Sequence, residues 1–216
     1  IKKKKLVVKL YEKEKLEFLK NEISNIPNPN ILELGVQNGN STKMFLEVCE
    51  KNDGFLTSID IDDCSNVSKS SKWNFIQSSD DNFDFVKDYL KNDLDVIFID
   101  SLHEPQHIKK VLYYYFNFLK LNGTIFVDDI SWLPFIYGGE NDNDFVERIN
   151  RLTFDKILEI YNANKKSLSL EINFTGSGLA ILKKIDKNLN EEVKIRNRLF
   201  TIKNLLKKIY APKPKK

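Results

Sequence analysis

The sequence predicts an α/β fold: a seven-stranded, mostly parallel sheet that closes with a C-terminal antiparallel hairpin. Three observations predict it. Between residues 30 and 130, short β-rich runs alternate with helical patterns, as βαβ units do. Several runs end in Gly or Asp, where an open parallel sheet places its ligand crevice. After residue 160, two further strand-like runs are separated by only a short Gly-containing link, TGSG, as in an antiparallel hairpin.

The elements follow in order. A helix over 6–25 stops before IPNPN, whose prolines forbid its continuation. Strands are expected at 30–36, 55–60, 73–77, 94–100 and 123–128, with helices at 41–51, 81–91 and 105–120 between them. The loop SWLPFIYGGENDND leads to a helix at 144–161, and the hairpin strands fall at 168–174 and 178–184. There is no internal repeat or low-complexity linker. Residues 1–186 are expected to form one domain that includes the first helix, followed by a basic C-terminal helix and tail over 187–216.

Composition narrows the class. The chain of 216 residues is 41% hydrophobic and 30% charged, as globular proteins are. No run approaches the roughly 18 apolar residues of a membrane span, and a cytoplasmic location is expected. Cys49 and Cys64 lack metal-site spacing and read as two buried thiols. The net charge of +3 hides basic ends around a middle, 21–182, that sums to −11. That is the wrong distribution for a nucleic-acid face, so a nucleic-acid partner is not expected. The tail reads either as an amphipathic helix with solvated lysines or as a docking segment for an acidic or anionic surface. A chain beginning at Ile1 suits either a processed chain or a domain of a longer multidomain protein.

The candidate site residues lie at strand ends. The first strand runs into ELGVQNGNST, with Glu33, Gly35 and Gly39 followed by Ser41. A dinucleotide loop needs G-x-G-x-x-G, and this wider array with two glycines argues against NAD. Asp60 ends the second strand, where a carboxylate can accept both hydroxyls of a ribose. The third runs into IQSSDD, whose Ser79 and Asp80 suit either an adenine edge or a helix N-cap. A ribose acceptor beside a Gly turn without phosphate chemistry describes an adenosine ligand.

ILELGVQNGNST, LTSIDID, IQSSDD, DVIFIDSLHEPQHIKKVL, GTIFVDDI and GSGLAILKK resemble the successive motifs of the class I S-adenosylmethionine-dependent methyltransferases, over roughly 28–184. The resemblance implies a Rossmann-like sheet, S-adenosyl-L-methionine as cofactor, its methionine end near Glu33, Gly35 and Gly39, its ribose at Asp60 and its adenine near Ser79 and Asp80. Asp100, Asp128 and Asp129 end the fourth and fifth strands. Three carboxylates in one crevice would not all stay ionised without a cation, so Mg²⁺ or Mn²⁺ is expected there. The set is similar to the metal-dependent O-methyltransferases. The catechol enzymes have an amide where this chain has Asp129, which turns the expectation toward the sugar and natural-product branch.

The reading is therefore an O-methyltransferase acting on a sugar hydroxyl of a glycan or glycoside, with a multidomain glycan-assembly protein as its setting. His103 is the candidate base beside Asp100, or else it orients the loop. His107 reads as a surface residue of the following helix. Trp132 and Tyr137 would stack on a sugar while Glu140 or Asp142 takes its hydroxyls, or Trp132 packs beneath the loop. The alternatives are an enzyme for a small phenol or other natural product, and a non-catalytic binding module, against which Glu33, Gly35, Gly39 and Asp60 argue. A base-modifying motif is absent after the fourth strand, which reads DSLH; ribose methylation of RNA stays open.

Overall fold

The computed structural model describes residues 2–90, 93–132, 144–196, 202, 203 and 206, with side chains from residue 13 onward except at 144. Seven strands form one sheet: β1 (Asn30–Leu34), β2 (Phe55–Asp60), β3 (Trp73–Gln77), β4 (Leu94–Ile99), β5 (Leu119–Val127), β6 (Leu168–Asn173) and β7 (Leu179–Lys184). Five helices accompany them: α1 (Lys2–Ile23), α2 (Asn40–Asn52), α3 (Phe83–Val86), α4 (Pro105–Tyr115) and α5 (Asp144–Ala163). The strand order is β3-β2-β1-β4-β5-β7-β6. β3 to β5 run parallel, and β7 enters antiparallel beside β5 with β6 at the edge.

Period-two alternation gives the sheet two apolar faces. Leu32, Leu34, Ile97, Ile99, Ile125 and Val127 join Ile108, Val111, Leu112 and Ile157 of α4 and α5 on one side. Ile31, Val96, Phe98 and Phe126 meet Leu19 and Ile23 of α1 and Phe45 and Val48 of α2 on the other. Both faces are covered, as parallel sheets require. No helix among the described residues is long and apolar enough to cross a membrane.

Three boundaries differ from expectation. β1 stops at Leu34 because Gly35 turns to φ +94°. The helix expected over 81–91 is one turn, Phe83–Val86, continued by a 3₁₀ turn, Lys87–Tyr89. α4 ends in a 3₁₀ turn at Phe116–Phe118, and β5 begins at Leu119, paired with Leu94 across a register shift. The residues 187–196 form no helix and lie back on α4 and α5, with Asn190 bonded to Asn164 and Glu192 paired with Lys109 and Lys156.

The chain order reverses between β1 and β4, and a crevice opens there beyond the strand ends. Backbone bonds continue past each strand and align these ends: Gly35 N–H to Ile59 O (2.9 Å), Asp100 N–H to Leu34 O (2.8 Å) and Asp128 N–H to Ile99 O (3.0 Å).

Candidate active site

A cleft of about 910 Å³ lies over these ends, within the usual size of small-molecule sites. Gly35, Ser41, Asp60, Ser79, Asp80, Asp100, His103, Asp128 and Asp129 all line it, together with Lys15, Gln37, Ile61, Ser101, His107 and Ser177, most of which the sequence did not single out.

Gly35 is required by geometry. At φ +94° its backbone passes so close to β4 that a Cβ would lie 2.2 Å from the Asp100 carbonyl oxygen. Gly39, at φ +72°, starts α2 and faces away from the cleft, where a Cβ would meet the Val67 side chain at 2.1 Å.

Glu33 is placed differently from the expectation. It is fully buried beneath the loop and does not line the cleft. Its oxygens accept the hydroxyls of Ser41 (2.6 Å), Thr42 (2.8 Å) and Ser58 (2.6 Å), tying α2 and β2 to β1. Burial pushes its carboxyl up to about 7 against the pull of these three donors.

Asp60 Oδ2 accepts the N–H groups of Val36 (2.7 Å) and Gln37 (3.0 Å), and Oδ1 that of Asp62 (2.9 Å). Burial opposes its charge, but these amides and that of Ile61 hold the carboxyl below its usual range. A carboxylate offers about four lone-pair sites, so the loop takes most of them and a ribose would share the remainder. Ile61 follows with 69% of its surface exposed, an apolar shelf on the cleft wall beside Asp60. A positive-φ glycine, a strand-end carboxylate and an exposed apolar side chain in one cleft fit an adenosine-type cofactor.

Asp80 is buried and committed. Its Oδ2 accepts Ser101 Oγ (2.6 Å) and faces His107 Nε2 (3.1 Å), and its carbonyl accepts the Tyr115 hydroxyl (2.5 Å). It braces the β3–α3 loop on α4 rather than presenting a free adenine contact. Ser79 donates to Asp81 (2.5 Å), a local turn bond. His107 is thus not a surface residue: its side chain is 11% exposed. The Asp80 hydrogen bond holds its imidazole above the ordinary range, against burial.

The other histidine sits among the strand-end carboxylates. His103 Nε2 lies 3.4 Å from Asp100 Oδ1 and 3.4 Å from Asp129 Oδ2. Asp129 reaches it from a left-handed backbone, φ +54°, which Asp tolerates better than most residues. Burial would lower the imidazole, but Asp100, Asp129 and Asp128 outweigh it and raise it. Asp100 is pushed up to about 6 by burial and by the charge of Asp128, with His103 and Lys15 opposing, and Asp129 is raised by the same two causes. A third of the Asp100 and Asp129 side chains meets solvent, which tempers that repulsion.

Asp128, 1% exposed, is saturated. Its Oδ1 accepts the Asp129 N–H (2.8 Å) and Ser177 Oγ (2.9 Å), and its Oδ2 pairs with the Lys15 ammonium, which also donates to Ser177 Oγ (3.2 Å). The expected metal ligands are brought together, but around a lysine. A divalent ion held by all three carboxylates would need the oxygen that Lys15 holds, and among the described residues no three acidic, imidazole or thiol side chains are disposed to hold a metal. The arrangement does not fit a divalent cation.

Trp132 does not line the cleft. It packs on α5, edge-on to Phe154 (6.2 Å) with the Arg151 guanidinium over its ring (5.0 Å), which closes that face to a sugar. Tyr137, Glu140 and Asp142 lie outside the described residues.

Comparison with known proteins agrees with this geometry. Residues 32–130 match the family model described as a methyltransferase domain. A proposed caffeoyl-CoA O-methyltransferase from Staphylococcus aureus superposes with a TM-score of 0.61 at 22% identity, covering 79% of this chain and 82% of that one. The fold is that of the class I methyltransferases. The SAH-bound Podospora anserina methyltransferase PaMTH1 gives 0.62 at 14% identity over 80% of this chain and 78% of its own. MycE of the mycinamycin biosynthetic pathway, in complex with Mg and SAH, gives 0.58 at 17% identity over 81% of this chain and 49% of its own. No curated protein matches the sequence significantly. Within the class I methyltransferase fold the cleft stands at the switch point, between the β1 loop and the carboxylates that end β4 and β5.

Proposed function

We propose that the protein is an S-adenosylmethionine-dependent O-methyltransferase whose acceptor is a sugar hydroxyl of a glycan or glycoside. The observation that carries this reading is one cleft with two chemically distinct ends. Gly35, Asp60 and Ile61 form an adenosine-type end, and Asp100, His103 and Asp129 form an end that can orient and deprotonate a hydroxyl. The SAH held by two fold neighbours supports the cofactor. The sugar is supported by the density of carboxylate acceptors for hydroxyls, with Tyr137 and Glu140 completing the acceptor loop in this reading. Two free, buried cysteines suit the cytoplasm. The methyltransferase unit takes in α1 and runs to about residue 186, and a longer glycan-assembly protein is its proposed setting.

Bound S-adenosylmethionine supplies an electrophilic methyl group on a sulfonium. The chain supplies position and a base. Asp100 and Asp129 flank His103 Nε2, favour the tautomer protonated there and stabilise the imidazolium, as carboxylates beside catalytic histidines do. His103, whose Nδ1 has no partner among the described residues, takes the acceptor proton once the ring turns that nitrogen to the cleft. Holding a hydroxyl in attack geometry contributes up to about 7–11 kcal/mol in favourable cases. No step requires a divalent ion.

The test is calorimetric titration of S-adenosylhomocysteine, followed by acceptor screening with glycosides, deoxysugars and phenols. Micromolar binding with methylation of a sugar supports the reading. Methylation of phenols alone moves the acceptor to small natural products, and absence of binding leaves a partner-binding domain.

A further inference from the structure

We infer that Lys15 is a built-in cation: its ammonium, seated on Asp128, takes the place of a divalent ion among the strand-end carboxylates, and the enzyme works without one. The catalytic half of this inference rests on the methyltransferase reading, while the exclusion of metal stands on the geometry alone.

Lys15 is not a loose surface lysine. It precedes Leu19 and Ile23 at four-residue intervals, so the three share one face of α1. Leu19 and Ile23 are 0% and 1% exposed in the core under the sheet, and Lys15 is 15% exposed above them. An apolar residue would continue that stripe at lower cost, since a charge so placed must be paired. Its partner is the most buried carboxylate of the set, and Ser177 of the β6–β7 hairpin bonds both. An ammonium has three donors, and the structure gives two of them partners, leaving one for the oxygen of an acceptor hydroxyl.

The charge balance agrees. Asp100, Asp128 and Asp129 face Lys15 from one side and His103 from the other, so the carboxylates have one resident protein cation and gain a second when His103 takes a proton. A divalent ion entering beside Asp128 would meet the ammonium at contact distance. Lys15 acts here as a positioning residue. It fixes Asp128, which receives the Asp129 amide and so sets the turn that carries the Asp129 carboxylate to His103.

The test uses the full chain and Mn²⁺ as probe, read by electron paramagnetic resonance, for the wild type, Lys15→Arg and Lys15→Met. Wild type and Lys15→Arg should leave Mn²⁺ free in the micromolar range. Lys15→Met, which keeps the stem and loses the charge, should bind it on the order of 100-fold more tightly. In parallel, wild-type methyl transfer should survive a chelator, and Lys15→Met should lose turnover and regain part of it with Mn²⁺. A merely structural lysine would not produce that exchange of charge for metal. Micromolar Mn²⁺ binding by the wild type, or loss of its activity in chelator, overturns the inference and needs no variant to fold. A folded Lys15→Met that gains no Mn²⁺ affinity overturns it as well. Absence of S-adenosylhomocysteine binding sinks the methyltransferase reading instead and leaves the Mn²⁺ comparison to decide the place of Lys15.

Discussion

Glu33→Gln should make the protein less sensitive to pH, because Glu33 is a fully buried carboxyl whose charged form is disfavoured. Its ordinary value of 4.5 is raised to about 7 in the folded chain. The folded state then holds a proton that the unfolded state releases. The stability contributed is full below about pH 4.5 and is lost as pH rises through 7. A shift of that size corresponds to about 3 kcal/mol at roughly 1.4 kcal/mol per unit. Glutamine has the shape of the protonated acid and does not titrate. Ser41 and Thr42 can rotate to accept its amide, and Ser58 already accepts the Trp73 Nε1–H (2.9 Å), so it keeps a bond in either orientation. The variant should match the wild type to about 1 kcal/mol at pH 4.5 and exceed it by about 2–3 kcal/mol at pH 8, or about 5–10 °C in Tm for a chain of this size. Urea unfolding of both proteins at several pH values isolates the effect, since every other titrating group cancels in the difference. A pH-independent difference between the two proteins would refute the argument and show that Glu33 is ionised in the fold.

Four further outcomes are expected. His103→Gln should lower methyl transfer by about 10²–10⁴-fold with little change in S-adenosylhomocysteine affinity. The wild-type rate should rise with pH through a limb above the ordinary imidazole value of 6.5, and Asp129→Asn should move that limb down; stopped-time assays over pH decide. Gly35→Ala forces a Cβ into the Asp100 carbonyl at a positive φ, so a loss on the order of 3 kcal/mol is expected in thermal or urea melts. For His107 the raised imidazole means that its pairing with Asp80 stabilises the fold fully below about pH 6.5 and is lost as pH rises through the higher folded value. His107→Ala should therefore destabilise the protein at pH 6 and much less at pH 9 in the same melts.

The strand ends were legible because a strand declares itself locally. Short apolar runs bounded by Gly or Asp mark both the element and its approximate end, so Gly35, Asp60, Asp100 and Asp128 could be set beside the crevice before any coordinates. Their partners were not legible. Glu33 reads as a ligand contact from its motif, and only the packing of α2 and β2 against β1 supplies the three hydroxyls that bury it. His107 reads as exposed because its helix starts with Pro105, whereas Asp80, 27 positions earlier, meets it through the β3–α3 loop. Trp132 reads as an acceptor platform or as packing, and only α5, with Arg151 and Phe154, decides for packing.

Lys15 shows why counter-charges are harder to read than charges. It lies in a basic stretch where solvated lysines are the rule, and its carboxylate is 113 residues away. Three strand-end aspartates state only that positive charge must come from somewhere. A metal satisfies that requirement, and so does a lysine from any element that passes over the crevice. What separates them is the rotation of α1, and that is recorded in the four-residue spacing of Lys15, Leu19 and Ile23: a lysine one turn ahead of two fully buried apolar residues points where they point. Since those residues pack beneath the sheet, the lysine is delivered to the strand ends above them. The acidic triad and the apolar stripe of the first helix together specify a protein-borne cation, which neither does alone.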